Sequence, residues 1–228
     1  MRSKLTRQAA ALLLTLSSLP LAAPAVLAAD AAAVADARAA TYWGAHAGAN
    51  TVDRLGAGVD LGGKHYPGEA TLKRGVHGGV QFGRRTAHAR QELEFESGSF
   101  RLTHLKAGPV NADANAHGRY RAVFANVYRT ERLSDALEAY AGVGVGWGRT
   151  DLNRLGLLHA CTCFGPASKA GFAWQLRAGA AFRIDERSSV VLQYSSLHLP
   201  ALESVGPPHV AYERKAVGAW TLGWIGRF

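Results

Sequence analysis

The chain has 228 residues and a formal charge of +9. Its basic residues are scattered and lack an aromatic-interleaved motif, which excludes a nucleic-acid partner. Nearly half the residues are apolar, yet mean hydropathy is close to zero, because apolar side chains alternate with Gly, Ser, Arg and Glu. Beyond the first 28 residues no run is long enough for a spanning helix, and 26 glycines suit a curved sheet better than helices.

At the start of the chain, Arg2, Lys4 and Arg7 precede an apolar and small run from Ala9 to Leu19. Pro20 and Pro24 break that run, and Val26-Leu27-Ala28 ends it with small residues. Charge, short apolar run and small-residue site, in that order, mark residues 1–28 as a secretory signal peptide, cleaved after Ala28 or, as the neighbouring choice, after Ala29. Cleavage leaves 200 residues (228 − 28) with a charge near +6, a basic surface suited to anionic lipopolysaccharide. Residues 29–40 form a short N-terminal periplasmic segment, and 41–228 form a strand-rich body.

Eight strands are expected, at roughly 42–50, 75–84, 90–101, 119–129, 137–149, 171–184, 189–196 and 216–228. In the second, Val76, Val80 and Phe82 oppose His77 and Gln81. In the third, Leu93 and Phe95 oppose Glu92, Glu94 and Glu96. The fourth offers two faces, and the one with Val123, Ala125 and Val127 outward is preferred over Tyr120, Ala122 and Phe124; it places Asn126 and Tyr128 inside. In the fifth, Val143, Val145 and Trp147 oppose Tyr140 and four alternating glycines. The sixth sets the scale: Phe172 and Phe182 lie ten residues apart on one face, about 33 Å, which a tilt near 40° projects to about 25 Å, the height of a bilayer's apolar band. Slipping that register by one would put Arg177 into lipid at a cost of about 2–4 kcal/mol. In the last strand Trp220, Leu222, Trp224 and Phe228 make an apolar stripe, while Ile225 points inward against the pattern.

The connections 85–89, 130–135 and 185–188 are short and polar. Those at 51–74, 102–118, 150–170 and 197–215 are longer and rich in Gly, Pro and Asn. Short turns at one end and long loops at the other give the expected fold class. It is all-β: an eight-stranded antiparallel up-and-down transmembrane β-barrel with short periplasmic turns and four longer extracellular loops.

The segments His77-Gly-Gly-Val-Gln-Phe-Gly83, Phe124-Ala-Asn-Val-Tyr128 and Ala139-Tyr-Ala-Gly-Val-Gly-Val-Gly146, with the terminal Trp224-Ile-Gly-Arg-Phe228, resemble the opacity-type, OmpA-like family of outer-membrane β-barrels, which includes small porin-like surface antigens. The resemblance covers nearly the whole chain after the leader. It implies a Gram-negative-type outer-membrane address and contact with its lipids. It also implies insertion by barrel-assembly machinery that reads Trp220, Leu222, Trp224 and Phe228, and adhesion, structural or resistance roles. It implies no catalytic residue and no cofactor.

Eight strands enclose an interior that side chains can fill. Glu92, Glu94 and Glu96 are therefore expected to meet Arg177, Arg183 and Arg227 across the lumen, since unpaired buried charges are costly; in the alternative some of these charges are solvated at the rims. The inward glycines of the fifth strand either make room for bulky neighbours or leave a narrow wet gap. In His159-Ala-Cys161-Thr-Cys163, a local disulfide between Cys161 and Cys163 is preferred over free thiols or a soft-metal site, and no metal is assigned. Gln193-Tyr-Ser195 resembles the nucleophile region of lipid A deacylases, but Gln193 stands where the histidine should be, and an amide cannot take the serine proton. The expected function is a structural or surface-interaction role, adhesin- or surface-antigen-like, through the extracellular loops, with lipopolysaccharide or a host or other extracellular ligand. The alternative is a narrow channel or a binder of small amphipathic solutes; a lipid-modifying enzyme comes third.

Overall fold

The computed structural model describes residues 40–50, 54–157, 161–204, 209–213 and 216–228. Its strands are β1 (Ala40–Asn50), β2 (Arg54–Leu61), β3 (Lys64–Lys73), β4 (Val76–Arg85), β5 (Ala89–Ala107), β6 (Val110–Arg132), β7 (Leu137–Leu152), β8 (Leu155–Leu157), β9 (Cys161–Phe164), β10 (Ala167–Arg183), β11 (Ser188–His198), β12 (His209–Tyr212) and β13 (Ala216–Arg227). The expected leader, 1–28, and nearly all of segment 29–40 lie outside the described residues.

β1, β4, β5, β6, β7, β10, β11 and β13 pair in that order, all antiparallel, and β13 pairs back with β1. The ring leaves no edge, as a sheet in hydrocarbon requires. Its stagger can be followed residue by residue. Ala40 lies opposite Arg85, and the row continues through Arg90, Tyr128, Gly142, Arg177, Ser195 and Ala219 to Asn50. One circuit thus climbs from residue 40 to residue 50 of β1, and eight strands with that stagger tilt by about 40°.

Alternation then sorts the side chains. Val143, Trp147, Phe172, Phe182 and Leu222 are more than half exposed on the outer wall, where lipid covers them. On β6, Val123 and Val127 face out, while Phe124, Asn126 and Tyr128 are buried inside. The β7 glycines face those bulky β6 residues directly: Gly142 opposite Tyr128, Gly144 opposite Asn126 and Gly146 opposite Phe124. A Cβ on Gly144 would fall on the Asn126 side chain, so the space is taken by neighbours. Ile225 also has its reason: it packs with Tyr42, Tyr128, Tyr140 and Val191 in an apolar layer inside the lumen.

The four long connections at the outer end are present, and much of their chain is itself sheet. Leu61 and Lys64 close a hairpin through Gly62 and Gly63, whose φ values of 57° and 79° only glycine adopts easily. β5 and β6 run on through residues 102–118 to a tight turn holding Gly108 at φ 55°. Here the polarity inverts. Below, Glu92, Glu94 and Glu96 point in and Leu93 and Phe95 out; above, Leu102, Leu105 and Ala107 are buried and Arg101 and Lys106 exposed. A register shift between Leu102 and His104 switches the inward residues from even to odd. These upper strands form a second ring. β12, β2, β3, β5, β6, β7 and β10 follow one another, and bridges Ala167–Ser204 and Glu203–Ala211 carry the circuit back to β12. Its interior is an apolar core that includes Val59, Leu105, Leu155 and Val210, as water outside demands.

Candidate functional site

The lumen of the membrane ring is filled by a hydrogen-bonded charge network. The guanidinium of Arg177, 4% exposed, places Nη2 2.6 Å from both Glu94 Oε1 and Glu96 Oε2. Glu94 also accepts from Asn126 and Gln175, each at 2.9 Å, and Glu96 accepts from the Tyr120 hydroxyl at 3.1 Å. Glu92 takes hydroxyl bonds from Tyr42 (2.6 Å) and Tyr128 (2.7 Å). Its cation is Arg90, at 3.1 Å, whose guanidinium lies 4.6–5.3 Å from the ring centres of Tyr42, Tyr128 and Tyr140 in a cation–π cage.

Of the three arginines expected opposite the glutamates, Arg177 alone reaches them. Arg183 and Arg227 are corrections. Arg183 is six residues beyond Arg177 on β10, about 20 Å along the strand and out of reach. It shares a recess at the periplasmic end with Arg85, Glu138 and Arg227, where Arg85 pairs with Glu138 and Arg227 Nη2 donates to Ser189 Oγ at 2.8 Å. Arg90, which shares the parity of Glu92, is the network's second cation and is not among the residues expected there.

His46, Glu94 and Glu96 bring three ligand atoms within 4.8 Å, but the Arg177 guanidinium already sits against both carboxylates, where a metal ion would have to be. Ser195 is buried in the lumen, Gln193 accepts from the Tyr140 hydroxyl at 2.8 Å, and His198 stacks on Trp174 on the opposite face of the wall. No base is brought to Ser195 among the described residues. The backbone of β9 carries Cys161 and Cys163, whose side chains, like His159, lie outside the described residues. Trp220, Leu222, Trp224 and Phe228 sit at the outer wall or the chain end, with Trp224 edge-on to Trp43 at 4.9 Å.

Above the network, where the membrane ring gives way to the upper ring, lies a small, partly open apolar cavity. Leu55, Leu72, Phe100, Leu199, Pro200 and Val217 supply its apolar walls. Asn50, Tyr120 and Thr150 lie at its lining, and Lys73 and Glu213 are exposed at its margin. Tyr212, also at the lining, has its hydroxyl pushed up to about 12 by burial. Sequence alternation could not reveal the cavity, because its walls come from eight separate strands and the connections between them.

A ring of eight tilted strands with an apolar outer wall and a charged, closed interior is a fold of the outer membrane. Residues 11–205 match the family of outer membrane protein beta-barrel domains. The chain belongs to that family. Membership places it in the outer membrane of a Gram-negative-type cell. Among solved structures it is similar to the outer membrane protein OprG from Pseudomonas aeruginosa, at 13% identity and a TM-score of 0.61, over 84% of this chain and 96% of that one. It is also similar to Neisserial surface protein A, at 13% identity and a TM-score of 0.45, over 82% and 97%. These likenesses are of fold. No curated protein matches the chain.

Proposed function

We propose that this outer-membrane barrel captures small apolar or amphipathic molecules at its extracellular end, without an open axial pore. The cavity at the seam of the two rings carries this reading: its lining is mostly apolar with a few convergent polar groups, the chemistry of a small-molecule site. Beneath it, the network of Glu92, Glu94 and Glu96 with Arg90 and Arg177 fills the lumen, so a captured molecule meets a charged floor. The solute-binding alternative is thereby preferred over display of irregular loops, since segments 54–73 and 102–118 are largely sheet packed on an apolar core, and Leu55 and Leu72 of the first line the cavity. The proposal includes export through a cleaved 1–28 leader and insertion guided by the β13 stripe ending at Phe228.

The test uses the refolded full chain in lipid nanodiscs. Titration with a fluorescent apolar probe such as naphthalene should saturate above the partition seen in empty nanodiscs. A Leu72→Trp change that fills the cavity should abolish that saturation. Planar-bilayer recording should show no stepwise current. Partition identical to empty nanodiscs would end the capture reading, and steady large conductance would end the closed-lumen half of it.

A further inference from the structure

The polar groups around the cavity are not equivalent. Asn50 Nδ2 donates to the Ser99 carbonyl at 3.1 Å, and its Oδ1 accepts from the Tyr120 hydroxyl at 3.4 Å. The single proton of that hydroxyl is shared with the nearer Glu96 at 3.1 Å, which ties both side chains to the lumen network and the wall. Lys73 and Glu213, opposite in sign, are exposed at the margin. Thr150 differs: it is 3% exposed, and its Oγ1 has no hydrogen-bond partner among the described residues.

Thr150 sits on β7 opposite Tyr120 and Lys169, so its backbone belongs to the ladder and its hydroxyl alone is uncommitted. A buried hydroxyl without a partner carries a desolvation cost that a ligand oxygen would remove. Of the lining's fully buried polar side-chain atoms, Thr150 Oγ1 is the one without a partner among the described residues, beside the Tyr212 hydroxyl at the same lining, and it recognises one polar atom. A carboxylate would need a buried cation to offset its own desolvation, and the cavity's cation, Lys73, is exposed. We propose that the cavity selects neutral, singly oxygenated apolar molecules, such as alcohols, phenols or ketones, with Thr150 Oγ1 as the hydrogen-bonding partner. This rests on the capture reading above.

Naphthalene, 2-naphthol and 2-naphthoate share a ring system and differ in one substituent. With the full chain in nanodiscs, corrected against empty ones, 2-naphthol should bind about tenfold more tightly than naphthalene and more tightly than 2-naphthoate. Thr150→Val keeps the shape and removes the hydroxyl, so the naphthol-to-naphthalene ratio should fall to about one. Thr150→Ser should retain the preference. Heat-dependent gel mobility verifies each barrel, and should the valine variant not fold, the native ratio and the serine variant still decide. Equal affinity for the first two ligands, a ratio unmoved by Thr150→Val, or a preference for 2-naphthoate overturns the selectivity while leaving capture standing. Binding of none of the three overturns capture itself.

Discussion

Arg177 on β10 and Glu96 on β5 are 81 residues apart in sequence, yet their side chains meet at 2.6 Å across the lumen. Glu94 lies at the same 2.6 Å from the same Nη2. One guanidinium therefore neutralises two carboxylates that face the same way on one strand. It also ties opposite walls of the barrel together, which fixes the register of both.

Removing that cation should be costly. Arg177→Leu leaves Glu94 and Glu96 buried without their partner, and the loss should be about 3–5 kcal/mol. Urea unfolding in detergent, followed by tryptophan fluorescence, measures it. Adding Glu94→Gln and Glu96→Gln to Arg177→Leu should recover much of the loss; a triple variant no more stable than the single one would contradict the pairing.

Gly144 is a matter of space. A Cβ there would come 1.9 Å from Asn126 Oδ1, and Asn126 donates to both Glu92 and Glu94. Gly144→Ala should cost about 1–3 kcal/mol by the same measurement, through overpacking and disturbed hydrogen bonds. Gly63→Ala stands in open space but at φ 79°, so its cost should be smaller, about 1 kcal/mol, and confined to the upper hairpin.

The inversion of polarity along the strands gives opposite expectations for the same substitution. Val143 is 56% exposed between Val127 and Leu176 on the outer wall, so Val143→Arg should cost about 2–4 kcal/mol in a bilayer. Asn115 is exposed on the upper part of β6, and Asn115→Arg should change stability by less than about 0.5 kcal/mol. Refolding yield into vesicles, scored by gel mobility, compares the two; similar losses would place both residues in one environment.

His104 offers a pH readout outside the membrane. Its Nδ1 lies 2.9 Å from Asp113 Oδ1 and its Nε2 3.0 Å from Asn111 Oδ1. The Asp113 bond comes first among the influences that raise its pKa above 6.5. The folded state thus favours the protonated ring. Its contribution is complete below pH 6.5 and fades as pH rises through the folded value. An NMR titration should find the His104 midpoint above 6.5, returning toward it in Asp113→Asn; a midpoint below 6.5 in the native chain would remove the pair.

At the opposite end, Asp185 Oδ1 accepts from the backbone N–H groups of Arg187 and Ser188, each at 2.7 Å. Those bonds hold its carboxyl below the ordinary value of 3.8. The stabilisation is present above pH 3.8 and is lost as pH falls through the folded value.

What the sequence determined by itself is the wall. Period-two alternation is local, so Phe172 to Phe182 and Trp220 to Leu222 declare their faces without any partner, and Arg177 must then point inward, whereas the fourth strand, with apolar residues on both faces, needed the ring to place Val123 and Val127 outside. Which cation meets which carboxylate is a different matter. It depends on the ten-residue stagger of the closed ring, which puts Arg177 level with Glu94 and Glu96 and leaves Arg183 and Arg227 at the rim. The upper ring reads as loops in the sequence, although Asn111, Asp113, Asn115 and His117 alternate with small apolar residues and Gly62-Gly63 forms the hairpin turn. Only the tertiary structure decided its interior, because one shifted residue near Thr103 exchanges the faces of a strand, and because the cavity exists only where two rings built from distant segments meet.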